Sequence, residues 1–582
     1  MCGIAGLVGG AIAPGEIERM TERLRHRGPD RMGIWRGEGV ELGHTRLAIV
    51  DLSSAGDQPM RLGPLTLTYN GEIYNFRKLR ESLAGPFESD CDTEVLLHLL
   101  AEDPERALAQ LQGMFAFAVW DERRNRLFAA RDRMGIKPFY YREFDGGLAF
   151  ASEVKALLEL GRPPIDPAAM RDYFTYKYVP DPGSIYRGIR QLPPGHWLSW
   201  DGNLQVERYW RPGTREPIRD PDEAVEELGE LLARIVPAHT MADVPVAVFL
   251  SGGIDSATVA GHLERPRTFT LGTDIRRRDE APHARQIAEH FGTEHREGVA
   301  KAVNLDEALN TIPEVFDEPF GDSGAWSNYL VSGMAREHAI VALSGEGGDE
   351  LFAGYQWYSK WPSQKPGAAR RLLARTLPAF SGGGRSAQRR SLTGLARYAA
   401  FLGPFTEQQR QALLGPRLEV EGHDDLWHFR RHWREELTPI KRMQWIDLHT
   451  FLPGDLLTKV DRASMAHSLE VRPPLLDHEL VEFALALEPE LMHDARTGKG
   501  KLLVRRLMEP RIPEGYFDRP KRGFNLPIRS WAQKNGRLMA GALDRLADMR
   551  IIRRPRMARF TNEQTWSLLS LDAWLRQSGA SW

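Results

Sequence analysis

Cysteine is nearly absent from this chain of 582 residues, since Cys2 and Cys91 are the whole supply. A disulfide framework is therefore excluded as a main source of stability, and a reducing, cytoplasmic setting is expected. No Cys/His spacing suggests zinc. Long apolar runs are missing too, so no segment reads as a bilayer span. The apolar start, Met1 to Gly10, lacks the basic flank of a signal peptide and reads as a buried strand. Neither sign of charge is in excess: 77 Lys and Arg against 79 Asp and Glu leave a formal net charge of −2. Neither nucleic acid nor a membrane surface is expected as a partner. Internal repeats and extended low-complexity tracts are also lacking.

A chain of this length exceeds one ordinary core and implies about two to four domains. Residues 1 to about 205 look strand-rich, with short apolar stretches such as Leu65–Tyr69 and Phe115–Trp120 between turn clusters. One helix is clear there, starting at Asp92-Thr93-Glu94, with acids suited to its N-terminus. Arg211–Pro217 reads as a linker between a unit at 1–210 and one at 220–582. After it strand and helix alternate: helix 222–239, strand 244–250, strand 267–271, helix 280–291 and strand 340–343. That alternation implies a parallel sheet with helices on both faces. From about residue 355 helical patterns dominate, and 364–397, rich in Arg, Ala, Gly and Ser, reads as a solvated helical surface with a flexible loop.

Two places carry chemistry. Cys2 follows Met1 directly, so loss of Met1 would leave a thiol and a free α-amine on one residue. An α-amine of ordinary pKa, about 7.7–8.0, can take the thiol proton, as in N-terminal threonine nucleophiles. The second place is the apolar run Val244–Leu250, which ends in Ser251-Gly252-Gly253-Ile254-Asp255-Ser256 before a helix. Glycines, hydroxyls and a helix N-terminus together suit phosphate groups. No Gly-Lys-Ser/Thr follows, so this is not a Walker A loop. A second strand ends likewise in Ser344-Gly345-Glu346-Gly347-Gly348-Asp349. Asp255 and Asp349 are natural oxygen ligands for a Mg²⁺ on bound phosphates. Each acid taken singly reads as a helix cap, and Cys91 reads as a small semi-buried residue rather than a second nucleophile.

Met1–Gly6, Arg27–Asp30, His44–Val50, Asn70–Asn75 and Asp92–Glu94 occur in that order. Together they resemble the class II glutamine amidotransferase domain, an N-terminal nucleophile fold of αββα layers. The resemblance implies that Cys2 is the nucleophile and that Arg46 pairs with the glutamine α-carboxylate, flanked by Leu47, Ala48, Ile49 and Val50. It implies that Asp92 accepts from the α-ammonium and that Glu72 helps to hold the ligand. The Asn70 amide and the Gly71 N–H would form the oxyanion hole. Phe316–Phe320, Lys459–Arg472, Pro474–Asp477, Gly500–Arg505, Arg519–Phe524 and Trp566–Leu569 extend the likeness along the chain. There it resembles glutamine-hydrolysing asparagine synthetases, with a Rossmann-like ATP-pyrophosphatase domain and a helical C-terminal extension. By family position Leu250, Ser251, Gly252, Gly253, Asp255, Ser256, Leu271, Ser344 and Gly345 contact ATP. Glu346 serves the acyl-adenylate step and Lys501 the transferring phosphates. The implied substrates are glutamine, ATP with Mg²⁺, and aspartate; a homodimer is left open.

One segment departs from the family pattern: Trp326-Ser327-Asn328 stands where Ala/apolar and Pro-Thr are usual, near the expected acceptor site. A relative that amidates another carboxylate, such as a sugar acid or a peptide side chain, is the alternative expectation. An inactive scaffolding homologue is disfavoured, because a binding module has no need of Cys2, Arg46, Asp92, Asp255, Asp349 and Lys501 together.

Overall fold

The computed structural model describes the chain except residues 1, 214, 274–278, 301–304, 361–366, 368–371, 373, 375, 382, 517–527, 535 and 556–558. The Arg519–Phe524 motif and part of 364–397 therefore lie outside the described residues.

Two six-stranded antiparallel sheets form the first unit. One runs Ile189–Gln191, Tyr140–Phe144, Gly147–Ala151, Gly3–Gly9, Val40–Arg46, Arg31–Gly37; the other runs Leu204–Arg208, His196–Trp200, Arg126–Arg131, Gly113–Asp121, Leu65–Ile73, Met60–Leu62. The strand Gly113–Asp121 shows why they stack. Its side chains alternate between faces. Phe115, Phe117 and Val119 enter a core with the helices Phe76–Glu81 and Asp92–Glu102, whereas Ala116, Ala118 and Trp120 meet Ile4, Val8 and Leu42 of the other sheet. A strand buried on both faces is apolar throughout, which is the run read from the sequence. Helices Glu16–Glu22 and Pro167–Tyr176 cover the outer face of the first sheet, completing the αββα layers.

The second unit holds a five-stranded parallel sheet in the order Glu294–Ala300, Arg267–Thr273, Val246–Phe249, Val341–Leu343, Glu470–Arg472. The chain order reverses between Val246–Phe249 and Val341–Leu343. Open α/β sheets form their ligand crevice at such a switch point, beyond the carboxyl ends of the strands. Helix Pro221–Ala238 begins where expected, with Asp220 accepting from Asp222 N (2.8 Å) and Glu223 N (3.0 Å). Strand Val246–Phe249 starts later than the apolar run, because Pro245 has no N–H for a ladder.

Helices dominate the C-terminal half as expected, and within them Asp447–Leu457 is a π-helical stretch containing Pro453, which cannot complete a regular hydrogen-bond ladder. One expectation needs correction. The described part of 364–397 is not merely solvated. Arg385 pairs with Glu563 (3.2 Å), and Arg389 Nε donates to Ala400 O (2.5 Å), so these cations are spent on packing. Among the described residues no helix is long and apolar enough to cross a membrane.

The units meet through buried charge. Arg27, fully buried, donates to Glu153 (2.7 Å) in its own unit and to both oxygens of Asp461 (2.9 and 3.1 Å) across the boundary. Arg462 returns the contact to Glu153 at 2.9 Å. The helix Asn562–Ser578 adds apolar closure: Leu568, Leu571 and Trp574 share one core with Ala5, Leu7 and Tyr173. Removing one partner of a buried pair leaves uncompensated charge, at a cost of about 3–5 kcal/mol. Arg27→Met should lower the urea midpoint accordingly, whereas a change within error would show that the Arg27 contacts carry no net stability.

Candidate active sites

Strand Gly3–Gly9 holds Cys2 at its start, and strand Leu65–Ile73 brings Asn70 against it. The Cys2 N–H donates to Asn70 Oδ1 (2.9 Å), and Arg27 Nε donates to Cys2 O (3.1 Å). This leaves Asn70 Nδ2, buried and without a hydrogen-bond partner, as an uncommitted donor. Gly71 is needed on packing grounds, since a Cβ there would stand 2.3 Å from Met114 O. Burial pushes the Cys2 thiol up, while the Leu47 backbone and Arg46 draw it down.

A cavity of about 40 Å³ opens here, lined by Cys2, Arg46, Leu47, Ile49, Val50, Gly71, Glu72 and Asp92 among others. Ala48 is not on its wall, and its N–H donates to Asp30 Oδ2 (2.8 Å). The charged groups are not idle. Arg46 donates to Ser53 O (2.6 Å), Asp57 Oδ1 (2.7 Å) and Asp51 O. Asp92 Oδ2 accepts from Tyr69 OH (2.6 Å) and Ile73 N (2.9 Å). Glu72, on the same wall, accepts through Oε2 from Arg472 of the second unit (2.9 Å). Cys91 shares the wall and lies 3.0 Å from Ser89 Oγ.

Sequence reasoning missed Glu470, which reaches this wall from the edge of the parallel sheet and is fully buried. Burial acts to raise its carboxyl, but neighbouring positive charge, including Arg472 and Lys137, holds it below the usual carboxylate range. The signal was present: Glu470 and Arg472 flank Val471 on a strand too buried for solvated charge, so each needs a partner.

At the switch point lies a cavity of about 670 Å³. Leu250, Ser251, Gly252, Gly253, Asp255, Ser256, Leu271, Ser344, Gly345, Glu346, Asp349 and Lys501 all line it. The first turn is internally braced: Ser251 N donates to Ser256 Oγ (3.0 Å) and Gly253 N to Ser251 Oγ (3.1 Å). Lys501 reaches in at the start of helix Leu502–Met508, with Nζ on Asp255 Oδ2 and 2.7 Å from Asp349 Oδ1. Gly354 makes room for that triad, because a Cβ there would stand 2.0 Å from Asp349 Oδ1.

One lysine therefore holds two carboxylates that the sequence places 94 positions apart, from Asp255 to Asp349. Asp255 Oδ1 is buried without a hydrogen-bond partner, and among the described residues no third His, Cys, Asp or Glu joins to make a metal cage. Two convergent carboxylates fit a Mg²⁺ whose other ligands are phosphate oxygens and water.

Of the departing residues, Ser327 and Asn328 line this cavity. Trp326 does not; it is buried and stacks on Tyr329 with centroids 5.2 Å apart. Sequence reasoning also missed Asp322 and Lys459, an ion pair (3.0 Å) on the cavity wall.

Residues 1–210 match the family model described as "Glutamine amidotransferase domain", and residues 227–576 match "Asparagine synthase". The chain belongs to the glutamine-hydrolysing asparagine synthetase family. It is 34% identical over 538 residues to asparagine synthetase (glutamine-hydrolyzing) 1 of Bacillus subtilis (strain 168), covering 88% of this chain and 84% of that protein. It is 38% identical over 582 residues to a putative asparagine synthetase (glutamine-hydrolyzing) of Mycobacterium tuberculosis (strain ATCC 25618 / H37Rv), covering 91% and 88%. Amidase chry2 of Gibberella zeae is 28% identical over 587 residues, covering 89% and 85%. As a member of the asparagine synthetase family, the chain is a carbon–nitrogen ligase with glutamine as nitrogen donor.

Behind the wall of the larger cavity, Asp447 accepts from Tyr358 (2.8 Å), Trp357 (3.3 Å) and Tyr398. Burial pushes its carboxyl from 3.8 up to about 7, and those three donors only soften the rise. A carboxyl raised in the folded state stabilises the fold fully below its unfolded pKa, and that contribution is lost as pH rises through 7. Asp447→Asn removes this loss. The melting temperature of the variant relative to the parent should therefore climb between pH 5 and pH 8, and a pH-independent difference would contradict the assignment.

Proposed function

We propose that the chain converts a carboxylate to its amide through an acyl-adenylate, with aspartate as acceptor, glutamine as nitrogen source and ATP as activator. The observation that carries this reading is the convergence of the Ser251–Ser256 turn, Asp255, Asp349 and Lys501 on one cavity.

Chemistry begins at Cys2. Its thiolate attacks the glutamine side-chain carbonyl, and Asn70 Nδ2 with Gly71 N–H stabilises the oxyanion that forms. Ammonia leaves, and water later releases glutamate from the thioester. Arg46 and Asp92 take the α-carboxylate and α-ammonium of glutamine. Because Arg46 is already engaged, glutamine has to displace the 51–57 loop contacts to it, whereas Asp92 is held through Oδ2 and can accept from the α-ammonium through its other oxygen.

In the second cavity an aspartate β-carboxylate oxygen attacks the α-phosphorus in line and pyrophosphate departs. Leu250, Leu271, Ser344 and Gly345 hold the nucleotide, and the Ser251–Ser256 turn holds the pyrophosphate. Lys501 balances charge as the α–β bond breaks. Asp255 and Asp349 would hold Mg²⁺, which supplies charge neutralisation to the phosphates when bound. Glu346, on the second loop, serves the acyl-adenylate step, after which ammonia attacks the acyl carbon and AMP leaves. Ammonia is mostly ammonium near pH 7 and is not then nucleophilic, so a shielded passage from Cys2 serves the reaction.

The lining by Ser327 and Asn328 favours one second reading, in which a different carboxylate is the acceptor. Pyrophosphate release with ATP, Mg²⁺ and glutamine across a panel of carboxylates separates the two. Release with aspartate and formation of asparagine supports the first; release with another acid alone supports the second. Cys2→Ala should abolish glutamine-driven synthesis and leave synthesis from added ammonia, and equal loss of both would refute two separable sites. Lys501→Gln should lower pyrophosphate release about 10²-fold or more from either nitrogen source.

A further inference from the structure

Where the two units join, Arg27, Arg462 and Arg472 each meet a carboxylate. One stretch of the same boundary breaks that pattern. A separate cavity of about 40 Å³ opens between Arg133, Asp181 and Arg208 of the first unit and Arg431, His432 and His449 of the second. It shares no wall residue with either cavity described above. Among the described residues Asp181 pairs with none of the three arginines and lies 3.7 Å from His428 Nε2 instead. Arg208 and Arg431 are exposed, and among the described residues neither has a carboxylate within ion-pair distance. Arg133 is buried; it donates to Leu111 O and to Leu108 O (3.2 Å), and its Nε has no hydrogen-bond partner. Burial and the charges of Arg211 and Arg431 draw the Arg208 guanidinium down. Burial also pushes His449 down to about 4 and His432 to about 2, with Arg208 acting the same way on both. Both imidazoles are therefore neutral near pH 7, and three arginines against one aspartate leave the wall with a net charge of +2.

We propose that this cavity is an anion site for a phosphate dianion, free or carried by a small ester, which supplies the counter-charge that the chain leaves out of this part of the boundary. Three features carry the proposal. Like charges facing one another across an interface are unfavourable, and Arg208 and Arg431 face one another from different units. A phosphate between them replaces that repulsion with charge-assisted hydrogen bonds from both sides. The excess charge matches a dianion, which phosphate largely is near pH 7. A planar carboxylate fills one guanidinium fork, whereas a tetrahedral group turns oxygens toward Arg133, Arg208 and Arg431 together. Space is sufficient as well, because about 10–15 Å³ measured in this way already holds a water. The exposed pair gives the ligand a way in, and the spare Nε of buried Arg133 gives it a donor that water reaches poorly.

The test is equilibrium dialysis of labelled inorganic phosphate against the full chain. Chloride holds the ionic strength constant, and Mg²⁺ with an α,β-methylene ATP analogue keeps the large cavity filled. Binding should saturate at a single phosphate per chain with a Kd of about 1 mM or tighter. The double variant Arg208→Gln, Arg431→Gln should weaken it about 10-fold or more, the loss expected when charged hydrogen-bond donors are removed. Phosphate should also slow the modification of Arg208 and Arg431 by phenylglyoxal in the unsubstituted chain, read by peptide mapping, which gives an answer even if the variant fails to fold. Glycerol phosphate separates the two sources: displacement of the label at equal or lower concentration identifies an ester as the ligand, and failure to displace it identifies free phosphate. No saturable binding by about 1 mM, binding that survives the double substitution, or arginines that phosphate leaves unprotected would each overturn the proposal.

Discussion

Three arginines buried where the two units meet, Arg27, Arg462 and Arg472, impose the constraint on which the remaining structure depends. Each ion there has left water, so each is tolerable only with a partner in place. The partners lie on both sides of the boundary: Glu153 and Glu72 on one, Asp461 and Glu470 on the other. Neither unit can therefore drift without stranding charge. The same groups reach Cys2: Arg27 donates to its carbonyl, and Glu470 shares its cavity wall. Cys2 is placed by contacts from both halves of the chain, so the geometry of its site is a property of the assembled protein.

Much of this architecture was legible in the sequence where local chemistry decides the outcome. Phe115–Trp120 could be read as a strand because its two faces both meet apolar layers. The serine–glycine turns could be placed at strand ends because each follows an apolar run and glycine permits the tight reversal there. What escaped was set by long-range pairing. Arg472 stood in a motif without a role, since its partner Glu72 lies 400 residues away. The engagement of Arg46 by the loop at 51–57 could not be read either, because Asp51 and Asp57 pass for ordinary turn residues in sequence.

The least regular part of the fold borders the large cavity. Phe451 and Leu456, from the π-helical stretch, line the cavity beside Lys459 and Asp322. π-helical turns are rare and are found mostly at functional positions, since they carry a local cost that packing elsewhere must offset. Trp326, the most conspicuous departure from the family pattern, faces the core instead and stacks on Tyr329. Any effect of that segment on specificity thus runs through Ser327 and Asn328, whose side chains change the hydrogen-bonding character of the wall rather than its bulk.

The guanidinium of Arg46 is already gripped by an aspartate and two carbonyls of its own loop. That loop acts as an internal surrogate for a carboxylate. On the proposed function, an arriving ligand enters by exchange and gains only the difference between its own contacts and those it evicts. Small anions that offer no more than Asp57 would have little to gain, whereas a molecule that also engages Asp92 would win the trade. Modest affinity and sharp discrimination would then be two aspects of one arrangement.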